Sequence, residues 1–166
     1  MKLIVCSDIH DNIWALQRML DGLSSDGATL LFCGDFCAPF TLVQLAEGFA
    51  GPIHVVWGNN DGDKFLLTQQ ASRFEHVSLH GEMAEFECAG RRILANHYPT
   101  IARRLAESAS ADIVCYGHDH IAHEIHLDNG VLLLNPGEIM GRFGRSTYRV
   151  VDLETLRGAL VEVPAG

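Results

Sequence analysis

The stretch KLIVCSDIHDNIWALQRMLDGL, residues 2–23, holds the unit from which the rest of the fold can be worked out. Its apolar run KLIVC (2–6) predicts a buried strand, because near-continuous hydrophobicity is typical of a sheet covered on both faces. The segment 12–23 has apolar residues at helical spacing, and Asn12 stands where it can cap that helix. The polar sequence SDIH (7–10) lies between the two. The stretch therefore predicts a β–α unit with polar side chains at the carboxyl end of its strand.

The same alternation recurs along the chain. Further buried strands are predicted for TLLFC (29–33), IHVVW (53–57), RILAN (92–96) and DIVCY (112–116). Further helices are predicted at 40–49, 63–72 and 100–109. Because consecutive β–α units favour right-handed crossovers, the first three alternations predict a parallel sheet.

The second half of the chain is richer in hairpin signals. The segment 82–96 predicts two strands joined at Ala89-Gly90, and the sequence DNG (128–130) predicts a hairpin within 122–135. TYRVVDL and GALVEV close the chain as another hairpin. The predicted fold class is therefore α/β: a two-sheet β-sandwich flanked by helices, whose second layer is more antiparallel. The length of 166 residues favours a single domain, 1–166.

Composition and charge limit the classes of partner. Twelve Lys and Arg against twenty-one Asp and Glu give a net charge of −9. That charge disfavours an extended nucleic-acid footprint but leaves room for a small phosphorylated substrate. No run approaches the ~18 consecutive apolar residues of a membrane span, and the N-terminus lacks a signal-peptide pattern. The five cysteines contain no C-x-x-C pair and are expected to be reduced, so a cytoplasmic protein is predicted.

Each of the five predicted strands ends at side chains that can bind a metal. The candidates are Asp8, His10, Asp35, Asn59, His97, His118 and His120. In open α/β sheets, ligands bind beyond the carboxyl ends of the strands. Asp8 and His10 stand at i and i+2, so an extended backbone would point both side chains the same way, and His118 and His120 repeat that spacing. Seven groups exceed the needs of one transition metal and suit two metals bridged by one carboxylate, for which Asp35 is the natural choice.

Each motif alone has a simpler interpretation. A D-x-H sequence is common, and a Gly-Asp pair after a strand is more often a turn than a ligand. GNND (58–61) can be a turn with a helix cap at Asp61. Three glycines (Gly34, Gly58 and Gly117) precede ligand candidates, where glycine permits tight turns and close backbone approach. Only the conjunction of all the motifs favours a metal centre.

The order D-x-H, G-D, G-N-x-D, a lone His and G-H-x-H resembles that of the calcineurin-like metallophosphoesterases, in particular the small single-domain bacterial and archaeal phosphodiesterases. The resemblance extends from Lys2 to about Gly137, where NPGE (135–138) is similar to the family's Asn-Pro-Gly turn. It implies two divalent ions and a water or hydroxide that bridges them as the nucleophile. By position, it assigns one ion to Asp8, His10, Asp35 and His120, and the other to Asp35, Asn59, His97 and His118. Mixed nitrogen and oxygen ligands suit Mn, which we favour, as well as Fe, Ni or Zn.

Three positions depart from the family pattern. Many family phosphatases have His after the ligand Asn, whereas this chain has Asn60, which can contact phosphate but cannot titrate. That change points towards diesters with good leaving groups. Tyr98 stands where many relatives have Gly, and Glu138 replaces a commoner Ser; the sequence explains neither.

Residues near the ligands are weaker candidates. Arg142 and Arg145 follow the Asn-Pro-Gly turn, and Arg142 is our candidate for holding a substrate phosphate. Asp11 and His123 could act as proton donors or as hydrogen-bond partners of the ligands. An ordinary solvated or hydrogen-bonded role suits these two residues better.

The predicted function is a two-metal phosphoesterase that hydrolyses small phosphate diesters and acts more weakly on monoesters. One alternative is a phosphomonoesterase or nucleotide pyrophosphohydrolase. Another is a non-catalytic scaffold of the same fold that binds partner proteins. The predicted partner is thus a small phosphate ester, without a membrane or extended nucleic acid, in a chain that could form a homo-oligomer.

Overall fold

A computed structural model describes residues 1–108 and 111–166 of the protein. The helices in these residues are α1 Ile13–Asp21, α2 Pro39–Gly48, α3 Lys64–Ala71 and α4 Pro99–Ser108. The strands are β1 Lys2–Cys6, β2 Ala28–Phe32, β3 Ile53–Val55, β4 Val77–Leu79, β5 Met83–Cys88, β6 Arg91–Asn96, β7 Ile113–Cys115, β8 His123–His126, β9 Leu132–Asn135, β10 Thr147–Asp152 and β11 Arg157–Glu162.

The strands form two sheets that pack face to face. The first has the order β11-β10-β1-β2-β3-β4, in which β1 to β4 run parallel and β10 and β11 join antiparallel. The second has the order β5-β6-β7-β9-β8. With helices on the outer faces, this arrangement confirms the predicted α/β two-sheet sandwich.

The side chains of β1 show why its sequence is continuously apolar. Leu3 and Val5 belong to the core between the two sheets, whereas Ile4 and Cys6 belong to the core beneath the helices. Alternate residues of a strand face opposite sides, so a strand covered on both faces needs apolar residues throughout. The prediction of a buried strand is therefore confirmed, and β1 is an interior strand of the first sheet.

The second sheet is covered on its outer face by α4. Ala102 and Ala106 of this helix are fully buried against Leu94, Val114 and Leu133 of three adjacent strands. Small side chains on the helix allow its backbone to approach the sheet closely. The sandwich is thus sheet on sheet inside and helix on sheet outside.

The elements follow the sequence predictions with small changes at their ends. Asn12 caps α1 by accepting a hydrogen bond from the backbone of Ala15. The last residue of the helix predicted at 100–109 lies outside the described residues. The three-residue strand β4 was not predicted. The antiparallel character expected of the second layer is confined to its edge strands, since β6, β7 and β9 run parallel.

The two sheets present the carboxyl ends of their central strands at the same end of the sandwich. The imidazole of His97, which follows β6, contacts the carbonyl oxygen of Cys33, which follows β2, at 2.7 Å. All seven predicted ligands follow strands at this end. Separately, no helix in the described ranges combines the length and apolarity needed to cross a membrane.

Candidate metal centre

Backbone hydrogen bonds tie the ligand-bearing loops to one another. The amide of Asp8 donates to the carbonyl of Gly34 at 3.0 Å, and the amide of Gly117 donates to the carbonyl of His97 at 3.0 Å. The amide of Ile9 donates to Asp35 at 3.0 Å. The loops therefore hold their side chains as one unit.

Five predicted ligands have left-handed backbone conformations. Their φ angles are 55° at Asp8, 45° at His10, 69° at Asp35, 74° at His118 and 61° at His120. The expectation that extended backbones align the pairs at i and i+2 was therefore wrong, although both pairs still reach the centre. Left-handed backbone is unfavourable for residues other than glycine by about 1–2 kcal/mol each, and Asp and His tolerate it better than most. Such strain concentrates at functional sites.

Glycines allow these loops to lie in contact. A methyl group added at Gly58 would overlap the Asp35 carboxylate, and one at Gly117 would overlap the hydroxyl of Ser7. Gly34 has a φ of +100° and would place a methyl group 2.7 Å from Nδ1 of His97. The close backbone approach predicted from these glycines is therefore present.

Asp8, His10 and His120 form the first ligand group. Asp8 Oδ1 lies 3.4 Å from His120 Nε2 and 3.7 Å from His10 Nε2. Within the described part of the chain, Asp8 Oδ1 and His10 Nε2 are buried with no hydrogen-bond partner. Buried polar atoms almost always have a partner. The ligand atoms of these three residues lie within 4.8 Å of one another, which fits a metal ion.

The second ligand group is formed by Asp35, His97, Asn59 and His118. His97 Nε2 lies 3.4 Å from Asp35 Oδ2 and 3.0 Å from Asn59 Oδ1. His118 Nδ1 lies 2.7 Å from the same Asn59 oxygen. Asp35 and His97 are buried, whereas Asn59 and His118 are exposed. This group therefore opens to solvent, where a substrate can enter.

Asp35 stands between the two groups. Its Oδ2 lies 3.6 Å from His10 Nε2 as well as close to His97. The backbone and side-chain amides of Asn60 donate to its two oxygens at 2.7 and 2.8 Å. Burial alone would raise the pKa of Asp35, but hydrogen bonds from His97 and Asn60 outweigh it and lower the pKa to about 2. The carboxylate is therefore ionised at neutral pH and lies close to histidines of both ligand groups.

The outer nitrogens of two histidines have fixed partners. His97 Nδ1 donates to the carbonyl of Cys33 at 2.7 Å, and His120 Nδ1 donates to Glu138 Oε2 at 2.6 Å. In a neutral ring, this leaves the Nε2 lone pair directed at the centre. Outer partners of this kind orient metal-binding histidines and raise their basicity.

Glu138 is a functional residue that sequence reasoning did not identify. Its side chain is 1% exposed, and its second oxygen accepts a hydrogen bond from the backbone of Phe143 at 2.6 Å. The carboxylate thus fixes His120 and the loop that follows. The available signal was the departure from Ser at this position, which the contact with His120 now explains.

Replacing Glu138 with Gln is expected to weaken metal binding by ~10–100-fold, the usual cost of losing such an outer partner. Glu138 accepts one hydrogen bond at each of its two oxygens, from His120 and from the Phe143 amide. Glutamine has a single side-chain oxygen and no charge, so it cannot replace both contacts. Titration of the metal-free protein against a competing chelator measures the effect. Glu47→Gln, at an exposed residue of α2, is the matched control. Equal metal affinity in both variants would contradict the role of Glu138.

Protons compete with metal at this centre. The nearby carboxylate of Asp8 raises the pKa of His10 despite partial burial. Burial lowers the pKa of His97, but the hydrogen bond and charge of Asp35 outweigh burial and raise it overall. A protonated imidazole cannot bind a metal, so metal affinity falls as the pH drops through these raised pKa values.

Asp61 has a role other than the one expected. The helix cap is Asp63, whose side chain accepts from the backbone of Leu66 at 2.9 Å. Asp61 is buried and accepts from the backbone of Gly58 at 2.7 Å and from that of Asp35 at 3.1 Å. It therefore joins two ligand-bearing loops. In the sequence, only its position two residues after the ligand candidate Asn59 indicated a role near the centre.

Arg142 lies at the edge of the centre. Its guanidinium is exposed and lies 5.2 Å from the centroid of the Phe143 ring. That ring in turn lies 5.2 Å from the His120 ring, nearly perpendicular to it. Arg142 is thus separated from the predicted ligand His120 by the side chain of Phe143.

The weaker candidates have ordinary hydrogen-bonded roles. Asp11 accepts from the backbone of Ala38 at 3.0 Å and from the hydroxyl of Thr41, at the start of α2. His123 Nδ1 lies 3.2 Å from the hydroxyl of Tyr116. Neither contact supports the alternative of a proton donor.

Comparison with known proteins supplies a family for this arrangement. The model of the calcineurin-like phosphoesterase superfamily domain matches residues 1–156. The chain is 27% identical over 158 residues to Phosphodiesterase MJ0936 of Methanocaldococcus jannaschii, covering 93% of this chain and 94% of that protein. It is 29% identical over 163 residues to Probable metallophosphoesterase YsnB of Bacillus subtilis, covering 93% and 85%. A solved structure described as a novel archaeal phosphodiesterase has the same fold, with a TM-score of 0.88, 24% identity and coverage of 98% and 99%.

Proposed function

Because this chain belongs to the calcineurin-like phosphoesterase superfamily, as its motif order predicted, we propose that it is a two-metal phosphodiesterase. It hydrolyses small phosphate diesters and acts more weakly on monoesters. One observation carries the proposal: Asp8, His10 and His120 form one group of possible ligands and Asp8, Asp35 and His97 form another, with Asp8 Oδ1 and His10 Nε2 buried and unsatisfied.

The proposed ligands divide into two sets that share one residue. The first ion is held by Asp8, His10, Asp35 and His120, and the second by Asp35, Asn59, His97 and His118. When bound, two divalent ions would activate a water molecule as nucleophile and neutralise charge on the phosphoryl group. Manganese is favoured, and iron, nickel and zinc also suit mixed nitrogen and oxygen ligands.

Local charge favours phosphate at this centre despite the acidic chain. Only two of the seven proposed ligands, Asp8 and Asp35, are carboxylates, so two divalent ions keep an excess of positive charge. The exposed guanidinium of Arg142 adds to it. A local positive field attracts small anions even where the net charge is −9.

Asn60 favours phosphate esters that have good leaving groups. It is exposed, lies next to the open ligand Asn59, and is held by the Asp35 carboxylate at 2.8 Å. An amide can donate a hydrogen bond to phosphate but cannot give up a proton to a leaving group. Esters whose leaving groups depart without protonation are therefore the better substrates. We place Asn60 and Arg142 as phosphate contacts.

The first test compares bis-p-nitrophenyl phosphate with p-nitrophenyl phosphate on chelator-stripped protein supplied with Mn²⁺. We expect hydrolysis only with metal and a higher kcat/KM for the diester. A preference for the monoester would instead favour a phosphomonoesterase or nucleotide pyrophosphohydrolase. Elemental analysis of the loaded protein reports the number of metals per chain.

A partner-binding scaffold is the remaining alternative. In a scaffold, the buried side chains of Asp8, Asp35 and His97 would have no catalytic role. Burying such groups is costly unless charges and hydrogen bonds are compensated. No turnover with Mn²⁺, Fe²⁺, Ni²⁺ or Zn²⁺, in protein that holds two metals, would favour the scaffold.

A further inference from the structure

Two aromatic side chains flank the centre, one beside each ligand group. The Tyr98 ring lies 5.1 Å from the ring of His118 and 5.3 Å from that of His97. On the other side, the Phe143 ring lies 5.2 Å from that of His120. Each ligand group therefore has an aromatic ring in contact with at least one of its histidines.

Phe143 is held at the mouth of the centre although its side chain is 68% exposed. Its backbone amide donates to Glu138 Oε1 at 2.6 Å. The same loop is closed by hydrogen bonds from the Ser146 hydroxyl to the Ile139 carbonyl and from the Thr147 amide to the Glu138 carbonyl, both at 2.8 Å. The loop thus presents a large apolar ring that the protein core does not cover.

The backbone of Tyr98 is held in place by the residues before and after it. It follows the ligand candidate His97 directly, its amide donates to Asn96 Oδ1 at 2.9 Å, and α4 begins at the next residue, Pro99. Its side chain is half-buried. The ring therefore keeps its place beside His97 and His118 while part of its surface remains accessible.

Further exposed apolar side chains lie in segments that follow the ligand-bearing loops. Exposed aromatic residues lie in the first turns of the three helices that follow ligand loops, namely Trp14, Phe40 and Phe65. Ile121, next to His120, is 66% exposed.

We propose that Tyr98 and Phe143 determine specificity, selecting phosphate diesters in which an ester group carries a flat aromatic ring, as aryl esters and nucleosides do. This inference rests on the proposed diesterase function. A diester at the centre directs its two ester groups away from the phosphorus, towards the flanking rings. Stacking on an aromatic side chain is worth about tenfold in binding and tolerates different ring systems. The net charge of −9 limits the substrate to short esters rather than long nucleic acids.

Three diesters that release the same p-nitrophenolate test the inference: the p-nitrophenyl esters of methyl phosphate, phenyl phosphate and thymidine 5′-phosphate. In the Mn²⁺-loaded full chain, we expect higher kcat/KM for the phenyl and thymidine esters than for the methyl ester. Because p-nitrophenolate occupies one of the two rings in every ester, one of the variants Phe143→Leu and Tyr98→Leu is expected to lower that ratio about tenfold, mainly through KM, and the other to lower kcat/KM for all three esters alike. Phe143→Tyr and Tyr98→Phe keep the rings and should keep the ratio.

Calorimetric titration with diphenyl phosphate and dimethyl phosphate gives a readout that is independent of turnover. The wild-type protein should bind diphenyl phosphate more tightly, and the leucine variants should lose that difference. Ratios and affinities that are the same in wild type and leucine variants would overturn the inference. An effect on thymidine alone would support it and narrow the ester to a nucleoside. Failure of the diesterase proposal is distinct, because wild-type protein with two metals would then be idle on all three esters.

Discussion

Replacing Asp35 with asparagine is expected to lower metal-dependent diesterase activity by more than about 100-fold while the chain stays folded. The loss of an outer hydrogen-bond partner of a metal ligand already costs ~10–100-fold. Asp35 is placed more centrally than such a partner, because its Oδ2 lies 3.6 Å from His10 Nε2 and 3.4 Å from His97 Nε2. An amide at this position removes the charge that both ions would share and offers only one oxygen.

Asparagine is the replacement that isolates this effect. The backbone at Asp35 has a φ of 69°, a conformation that asparagine tolerates better than most residues. Its side-chain oxygen can still accept the hydrogen bond from the Asn60 backbone. Asp26→Asn, at an exposed turn, is the matched control.

The measurements are kcat/KM on bis-p-nitrophenyl phosphate, metal content by elemental analysis and circular dichroism. Activity within tenfold of the wild type, in a folded Asp35→Asn protein, would exclude Asp35 as the bridging ligand.

Replacing Gly58 with alanine is expected to destabilise the fold by about 1–3 kcal/mol, the usual cost of overpacking, and to remove most activity. The added methyl group would overlap the Asp35 carboxylate and approach the Asp35 amide nitrogen to 2.6 Å. Because the carboxylate is clamped by Asn60, it cannot move away without leaving the ligand groups. One methyl group should therefore damage both stability and catalysis.

Thermal unfolding of the metal-free protein tests the stability part, with a decrease in Tm of about 2–4 °C for each kcal/mol in a chain of this length. Gly22→Ala is the control, since a methyl group there would make an ordinary contact at 3.5 Å with the Met19 carbonyl. We expect Gly22→Ala to keep wild-type Tm and activity. Wild-type behaviour of Gly58→Ala would show that the loops relax without displacing Asp35.

Much of the fold could be predicted because its central strands are buried on both faces. A continuously apolar run such as KLIVC predicts a strand covered on both faces, and Leu3 and Ile4 are buried in cores on opposite sides of β1. The three-residue strand β4 escaped prediction because Val77 and Leu79 are only half-buried and Ser78 is exposed, so its short pattern resembles a loop. Pairing with β3, not local sequence, makes it a strand.

The ligand candidates could be predicted from their order along the chain, but the geometry that unites them could not. The spacing of Asp8 and His10 suggested an extended segment, whereas left-handed turns bring both side chains to the centre. The hydrogen-bond partner of His97 could not be predicted either, because it is the backbone carbonyl of Cys33, which any residue type would provide. Glu138 and Asp61 act through contacts across loops that only the folded chain brings together.

The left-handed backbone at five ligand candidates would couple the stability of the chain to the proposed metals. Without metals, the chain carries that strain together with buried, unsatisfied donor atoms. A ligand that binds only the folded state adds about 2.7 kcal/mol of stability at a hundred times its dissociation constant. Cellular proteases remove proteins in proportion to how often they unfold. Removing the proposed metals would therefore shift the chain towards unfolding and make it more susceptible to proteolysis.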